Sequence, residues 1–160
     1  MYGIHRAINQ KKFTSESHKS IVSFIYIANL IKNAHSAQFK KHKLTPQQYN
    51  ILRILKGSHP IPLTVGILKE RMLDKMSDAS RLVDRLEKLK LAKRNLNIED
   101  RRAVDVSITD EGLAILSVID LEADAFKSVL DVLSAEEIES LNGILDKLID
   151  LHLPPLKHNG

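Results

Sequence analysis

The hydrophobic period of this chain changes from helix to strand and back to helix within about fifty residues, and few architectures tolerate that order. Ala79, Leu82, Val83 and Leu86 recur at steps of three and four, on a helix that Ser77 is placed to cap and that runs to about Leu89. Ala92–Leu96 and Ala103–Ile108 then read as strands, the second alternating Val104, Val106 and Ile108 against Asp105 and Ser107. Between them lies a polar hairpin tip, Asn97 to Arg102. Thr109 caps a further helix carrying Leu113, Leu116, Ile119, Ala123 and Phe126, expected to last to about Val132.

Upstream, residues 1–17 are polar and predict a loose segment. From His18 to about His42 apolar residues follow helical spacing, and Val22, Ile27 and Leu30 widen the stripe beyond Ile21, Phe24, Ile25, Ala28 and Ile31. A face that broad predicts burial on two sides, which a dimer partner would supply. Thr45-Pro46-Gln47-Gln48 carries a capping box with proline in the first turn, opening a helix through Tyr49, Ile51, Leu52 and Leu55 that Gly57 stops. Pro60 and Pro62 force an extended connection or short strand, Thr64 opens a short helix from Val65 to about Met72, and a turn spans Leu73–Met76. Ser134 and Glu137 form a second capping box, before a last helix through Ile138, Leu141, Leu145, Leu148 and Ile149 that Pro154-Pro155 ends.

The fold class expected is mainly α with a small β-hairpin wing, in the element order of a winged helix-turn-helix, and all 160 residues are read as one domain.

Charge sharpens this reading. Residues 1–60 hold ten Lys/Arg against one acid, residues 61–108 eleven against eight, and residues 109–160 three against eleven. A basic front and middle with an acidic tail suits a chain of which one part faces a polyanion. On the Ser77–Leu89 helix, Asp78, Arg81, Arg85 and Lys88 lie opposite the buried stripe. Ser77, Asp78, Ser80 and Arg81 occupy its first turn and a half, from which side chains reach base edges: Ser and Arg donate to guanine or phosphate, and Asp78 accepts from cytosine. Lys75, Arg85 and Lys88 are better placed for phosphates. The alternative is a solvated face with ion pairs Asp78–Arg81 and Asp84–Lys88. The tip adds Arg101 and Arg102 on a thin protrusion, a shape that fits a narrow minor groove, with Asp100 orienting an arginine or closing the turn.

Leu73-Asp74-Lys75 followed by Ser80 to Lys88 resembles the recognition-helix signature of the MarR (multiple-antibiotic-resistance regulator) family. Asp100-Arg101-Arg102-Ala103-Val104, leading to Ile108-Thr109-Asp110-Glu111-Gly112, is similar to that family's wing motif, and Leu44 to Tyr49 to its second-helix start. The resemblance spans roughly residues 20–150. It implies a winged helix-turn-helix DNA-binding region at 45–108 and a helical dimerisation region, from the N- and C-terminal helices, at 1–44 and 109–160. It also implies a homodimer held by the first and last helices, a pseudo-palindromic operator, repression as the commoner mode, often a pocket for a small-molecule effector, and Arg102 as the minor-groove arginine. Two positions depart from the pattern. Lys90 stands where the family commonly has Gly; either it bears about 1 kcal/mol of left-handed strain or the helix end is reshaped. The turn Leu73 to Ser77 is also one residue longer than the commonest form, shifting the register of Ser77–Ser80 by one position.

Other classes find less support. No Gly-rich phosphate loop, His-Glu-x-x-His or nucleophile elbow is present, so no enzyme and no cofactor are expected. There is no cysteine, which excludes thiol sensing, and none of the seven histidines shows tight metal-ligand spacing, so no metal is expected. No apolar run reaches membrane-spanning length and the N-terminus has no secretory pattern, which makes a cytoplasmic location the default and a membrane partner unexpected. The rival function is a winged-helix module that binds protein and not DNA, and its recognition face would be neutral or acidic.

Overall fold

The computed structural model describes residues 3–97, 103–122 and 129–153. Its elements run α1 (Ile4–Ala7), α2 (Glu16–Lys41), α3 (Pro46–Ser58), β1 (Leu63–Thr64), α4 (Val65–Arg71), α5 (Ala79–Lys88), β2 (Ala92–Leu96), β3 (Val104–Ile108), α6 (Asp110–Leu121) and α7 (Ala135–Asp150). They fall into two compact units, residues 1–125 and 126–160.

In the first unit the helix starts follow local chemistry. Thr45 accepts from the Gln48 amide at 3.2 Å while the Gln48 side chain takes the Thr45 amide at 2.8 Å, so both orphan donors of the first turn are satisfied. Gly57 lies inside α3 and does not stop it; the helix ends one residue later, at Ser58. The proline segment then delivers a short strand, β1, as the extended connection predicted. Three strands form one antiparallel sheet in the order β1-β3-β2, with Leu63 opposite Val106 and Ala92 opposite Ile108. The core gathers Phe39, Ile51, Leu52, Leu55, Leu68, Met72, Val83, Leu86, Val106, Leu116 and Ile119, each almost wholly buried. The apolar stripes of α3, α5, β3 and α6 thus meet on one another, as their periods require.

Three expectations need correction. The N-terminal segment is not loose throughout: the His5 and His18 rings both pack edge-on against Phe13, and Ser15 caps α2, which begins at Glu16, two residues before the predicted start. The cap of α5 is Asp78, not Ser77, consistent with one extra residue in the preceding turn. Finally, α6 stops at Leu121, whereas its period predicts a helix to about Val132; residues 129–132 form turns, and Ala123 and Phe126 lie outside the described residues. Asp120 and Glu122 put negative charge at the negative end of the helix dipole, an unfavourable place for carboxylates unless something offsets it. Both carboxylates meet basic side chains there: Arg53 donates to the two oxygens of Asp120 at 2.8 and 2.9 Å, Lys56 lies 3.3 Å from it, and the His42 ring is 3.0 Å from Glu122.

In the second unit, Ser134 and Glu137 close the predicted capping box of α7. This helix buries no residue, and Ile144, Leu148 and Ile149 are about half exposed. On α2, Ile21, Phe24, Ile25, Ile27 and Leu30 are likewise 42–57% exposed. Gln38, near the end of α2, is buried, with its amide nitrogen 3.5 Å from the Ile119 carbonyl and its oxygen without a partner among the described residues.

Candidate nucleic-acid interface

α5 is a two-sided object. Ala79, Val83 and Leu86 are buried against the core, while Asp78, Ser80, Arg81, Arg85 and Lys88 are exposed. The Asp78 carboxylate accepts the Arg81 amide at 3.1 Å, so its first task is to cap the helix. Neither ion pair of the alternative reading forms. Arg81, Arg85 and Lys88 join no salt bridge among the described residues, and Asp84 is taken by a residue the sequence did not single out, Arg94 of β2.

Arg94 ties helix to strand. One guanidinium nitrogen donates to the Asp84 carboxylate, the other to the Ser80 carbonyl at 2.9 Å, and the Arg94 amide donates to the Glu87 side chain at 3.3 Å. Three residues on successive turns of α5 are thereby held by one strand position. The signal was present in the sequence: on a strand, Arg94 shares the face of Ala92, and Ala92 is buried. An inward-facing arginine needs a carboxylate partner nearby.

The end of α5 is equally defined. The Lys90 amide donates to the Glu87 carbonyl at 2.8 Å and the Leu91 amide to the Leu86 carbonyl at 2.9 Å, the bond pair of a Schellman motif. Lys90 accordingly sits at φ 61°, in the left-handed region. Of the two possibilities open at this position, the strain is borne and the helix end keeps its form. The Lys90 carbonyl then accepts the Thr109 hydroxyl at 2.7 Å, and the Leu91 carbonyl accepts the Thr109 amide at 3.2 Å. Thr109 also caps α6 through the Gly112 amide. Gly112 has a steric reason: a Cβ there would collide with the Leu91 carbonyl oxygen and come within 2.7 Å of Ile108.

The turn before α5 is built around Asp74. Its carboxylate accepts the Met76 amide at 3.0 Å and the Ser77 hydroxyl at 2.8 Å, and the Ser77 hydroxyl, then the Met76 amide, hold it below the usual carboxylate range. Asn50 accepts the Leu73 amide at 3.0 Å, and the Lys75 ammonium donates to the Glu70 carbonyl. Ser77 is therefore half-buried with its proton engaged, while Lys75 is exposed and docked to backbone. Asp100, Arg101 and Arg102 lie outside the described residues. The strands that lead to them are in place, with Leu96 paired to Val104 at the outer end.

The overall charge asymmetry translates only partly into surface. Arg53, Lys56 and His42, from the basic front, lie against Asp120 and Glu122. What remains around α5 is a cationic ridge, and such a ridge on a rigid base can neutralise phosphates and donate to base edges. Among the described residues no three His, Asp or Glu side chains are placed to hold a metal ion, and no helix is long and apolar enough to cross a membrane.

Comparison with known proteins agrees with this geometry. A sequence model described as the MarR family matches residues 42–103. The chain is 30% identical over 129 residues to the HTH-type transcriptional regulator PecS of Dickeya dadantii, covering 79% of this chain and 77% of that protein. It is 43% identical over 75 residues to the HTH-type transcriptional repressor MdtR of Bacillus subtilis, 46% of each chain. Among solved structures it is similar to Sco3205, a MarR family transcriptional regulator from Streptomyces coelicolor in complex with DNA, with a TM-score of 0.76 and 24% identity over 92% of this chain and 94% of that one. A MarR transcription factor from Planctomyces limnophilus gives a TM-score of 0.64 at 27% identity, over 84% and 98%.

Proposed function

The chain belongs to the MarR family, and from that premise we propose that it regulates transcription as a homodimer binding a pseudo-palindromic duplex site, with repression as its mode. The observation that carries the proposal is the exposed ridge Ser80, Arg81, Arg85 and Lys88, whose three cations join no ion pair among the described residues, on a helix that Arg94 holds at three successive turns. In this reading Ser80, Arg81 and Asp78 meet base edges in the major groove, and Ser77 supports them. Lys75, Arg85 and Lys88 meet phosphates, while Arg101 and Arg102 enter the minor groove with Asp100 orienting them. Such a protein works by occupancy of a promoter, and no catalytic step is required of it. The homodimer is supported by the half-exposed apolar faces that α2 and α7 each carry, surface of the kind a second copy would bury. A small-molecule effector would act by favouring the arrangement of the dimer that binds DNA less well.

The test is selection of duplexes from a random-sequence library, followed by titration against the enriched duplex and sizing by analytical ultracentrifugation. A dimer is expected, with affinity falling steeply with salt by about 0.9 in log–log slope per neutralised phosphate. Arg102→Ala should weaken all duplexes alike, and Ser80→Ala or Arg81→Ala should change base preference at fixed positions. A monomer that enriches no duplex would refute the proposal and favour the protein-binding rival.

A further inference from the structure

The turn between α4 and α5 combines rigidity with exposure in an unusual way. Its backbone is braced by Asn50 and by both oxygens of Asp74. Yet Met76 is 94% exposed and Leu73 88% exposed, the two most exposed large apolar side chains among the described residues. A slack loop would fold such side chains back onto the protein, because each buried methylene is worth about 0.8 kcal/mol. This loop is pinned with both of them in water.

The surroundings narrow what would cover them. Met76 lies two residues before Asp78, the cap of α5; the flanking sequence supplies Lys69, Arg71, Lys75 and Arg81 against Glu70, Asp74 and Asp78, and the last two carboxylates are already taken up by the turn and the helix cap. An apolar protein partner would have to match those cations with carboxylates. A duplex meets them with phosphates, and on its major-groove floor the one apolar group is the thymine C5-methyl. Methionine, unbranched and polarisable, adapts well to such a small target. We infer that Met76 and Leu73 form an apolar reader of thymine methyl groups at the edge of the recognition helix. The inference rests on the DNA-binding reading above and adds a determinant of sequence preference that uses no hydrogen bond.

Methyl deletion tests it directly. The duplex enriched by the wild-type protein is resynthesised with deoxyuridine replacing thymidine at one position at a time. Each version is titrated by fluorescence anisotropy with wild type, Met76→Ala and Leu73→Ala at fixed salt. At one or more thymines the wild type should lose about fourfold in affinity, the loss expected from re-exposing one methyl group. At least one variant should bind the thymine duplex correspondingly more weakly and be indifferent to deletion at that position. Its melting temperature and salt slope should match wild type, since an exposed side chain supports neither the core nor a phosphate contact. Equal wild-type affinity for every deoxyuridine duplex would overturn the inference, as would two variants that both keep the full methyl dependence. If no duplex is enriched at all, the DNA-binding reading falls and takes this one with it; enrichment without methyl dependence sinks this one alone.

Discussion

Replacing Gly112 by alanine should destabilise the first unit by about 3 kcal/mol, although alanine is the better helix former. The new Cβ would strike the Leu91 carbonyl oxygen and stand 2.7 Å from Ile108 Cγ1, against an ordinary carbon–carbon contact of about 3.5 Å or more. Side chains yield cheaply to such a clash, but backbone does not. The Leu91 carbonyl is fixed because it accepts the Thr109 amide and follows directly on the Schellman turn at Lys90. Overpacking of this kind costs roughly 1–3 kcal/mol. Pushing Leu91 away also strains the two bonds from Thr109, each worth about 1 kcal/mol. Against these stands the helix propensity of alanine over glycine, about 1 kcal/mol. For a chain of this size the net loss corresponds to a fall of about 10 °C in melting temperature, read by circular dichroism at 222 nm and by the urea midpoint. A Gly112→Ala protein that melts at or above wild type would refute the argument, because propensity would then have outweighed the collision.

Lys90→Gly should act in the opposite sense, raising stability by up to about 1 kcal/mol as left-handed strain at φ 61° is relieved; an unchanged urea midpoint would show that the strain is not there. Arg94→Gln should remove the charged bond to Asp84 and loosen α5 against β2. Unfolding is expected to become easier by about 1 kcal/mol, with a larger proportional loss of duplex affinity, and equal affinity by anisotropy would count against the clamp. Asp74 is depressed in the folded protein, so the stability it lends is present above the ordinary aspartate range and is lost as pH falls through the lower folded value. Hydrogen exchange at the Met76 and Ser77 amides should therefore stay slow through weakly acidic conditions. Opening of the turn before pH reaches the ordinary aspartate value would contradict it.

What could be read from the sequence was whatever is local and periodic. Thr45, Thr64, Thr109 and Ser134 announce helix starts because a cap needs only its next three residues. The stripe of α5 announces its buried face because a helix repeats every turn. Long-range partners were not legible. Arg94 reaches Asp84 across the turn at Lys90, and no spacing rule connects the two; only the burial of Ala92 on the same strand face hinted at it. The end of α6 was hidden for a related reason, since the apolar period continues to Phe126 while Arg53, Lys56 and His42 hold the acids near Leu121. The candidate interface divides in the same way. Its exposed positions on α5 follow from the helix period, whereas the anchoring of Ser77 and Lys75 depends on turn geometry that the one-residue-longer loop obscured.

Thr64 serves two structures at once: it pairs with Asp105 in the sheet and caps α4 through the Ile67 amide. The sheet that carries the hairpin and the first helix of the helix-turn-helix therefore share a residue, and one cannot swing without dragging the other. A reading head made this way arrives at its target already shaped, so little freedom has to be surrendered on contact. In the homodimer proposed above, tolerance for targets with stretched or compressed half-site spacing would then have to reside in the join between two copies, away from the surfaces that do the reading.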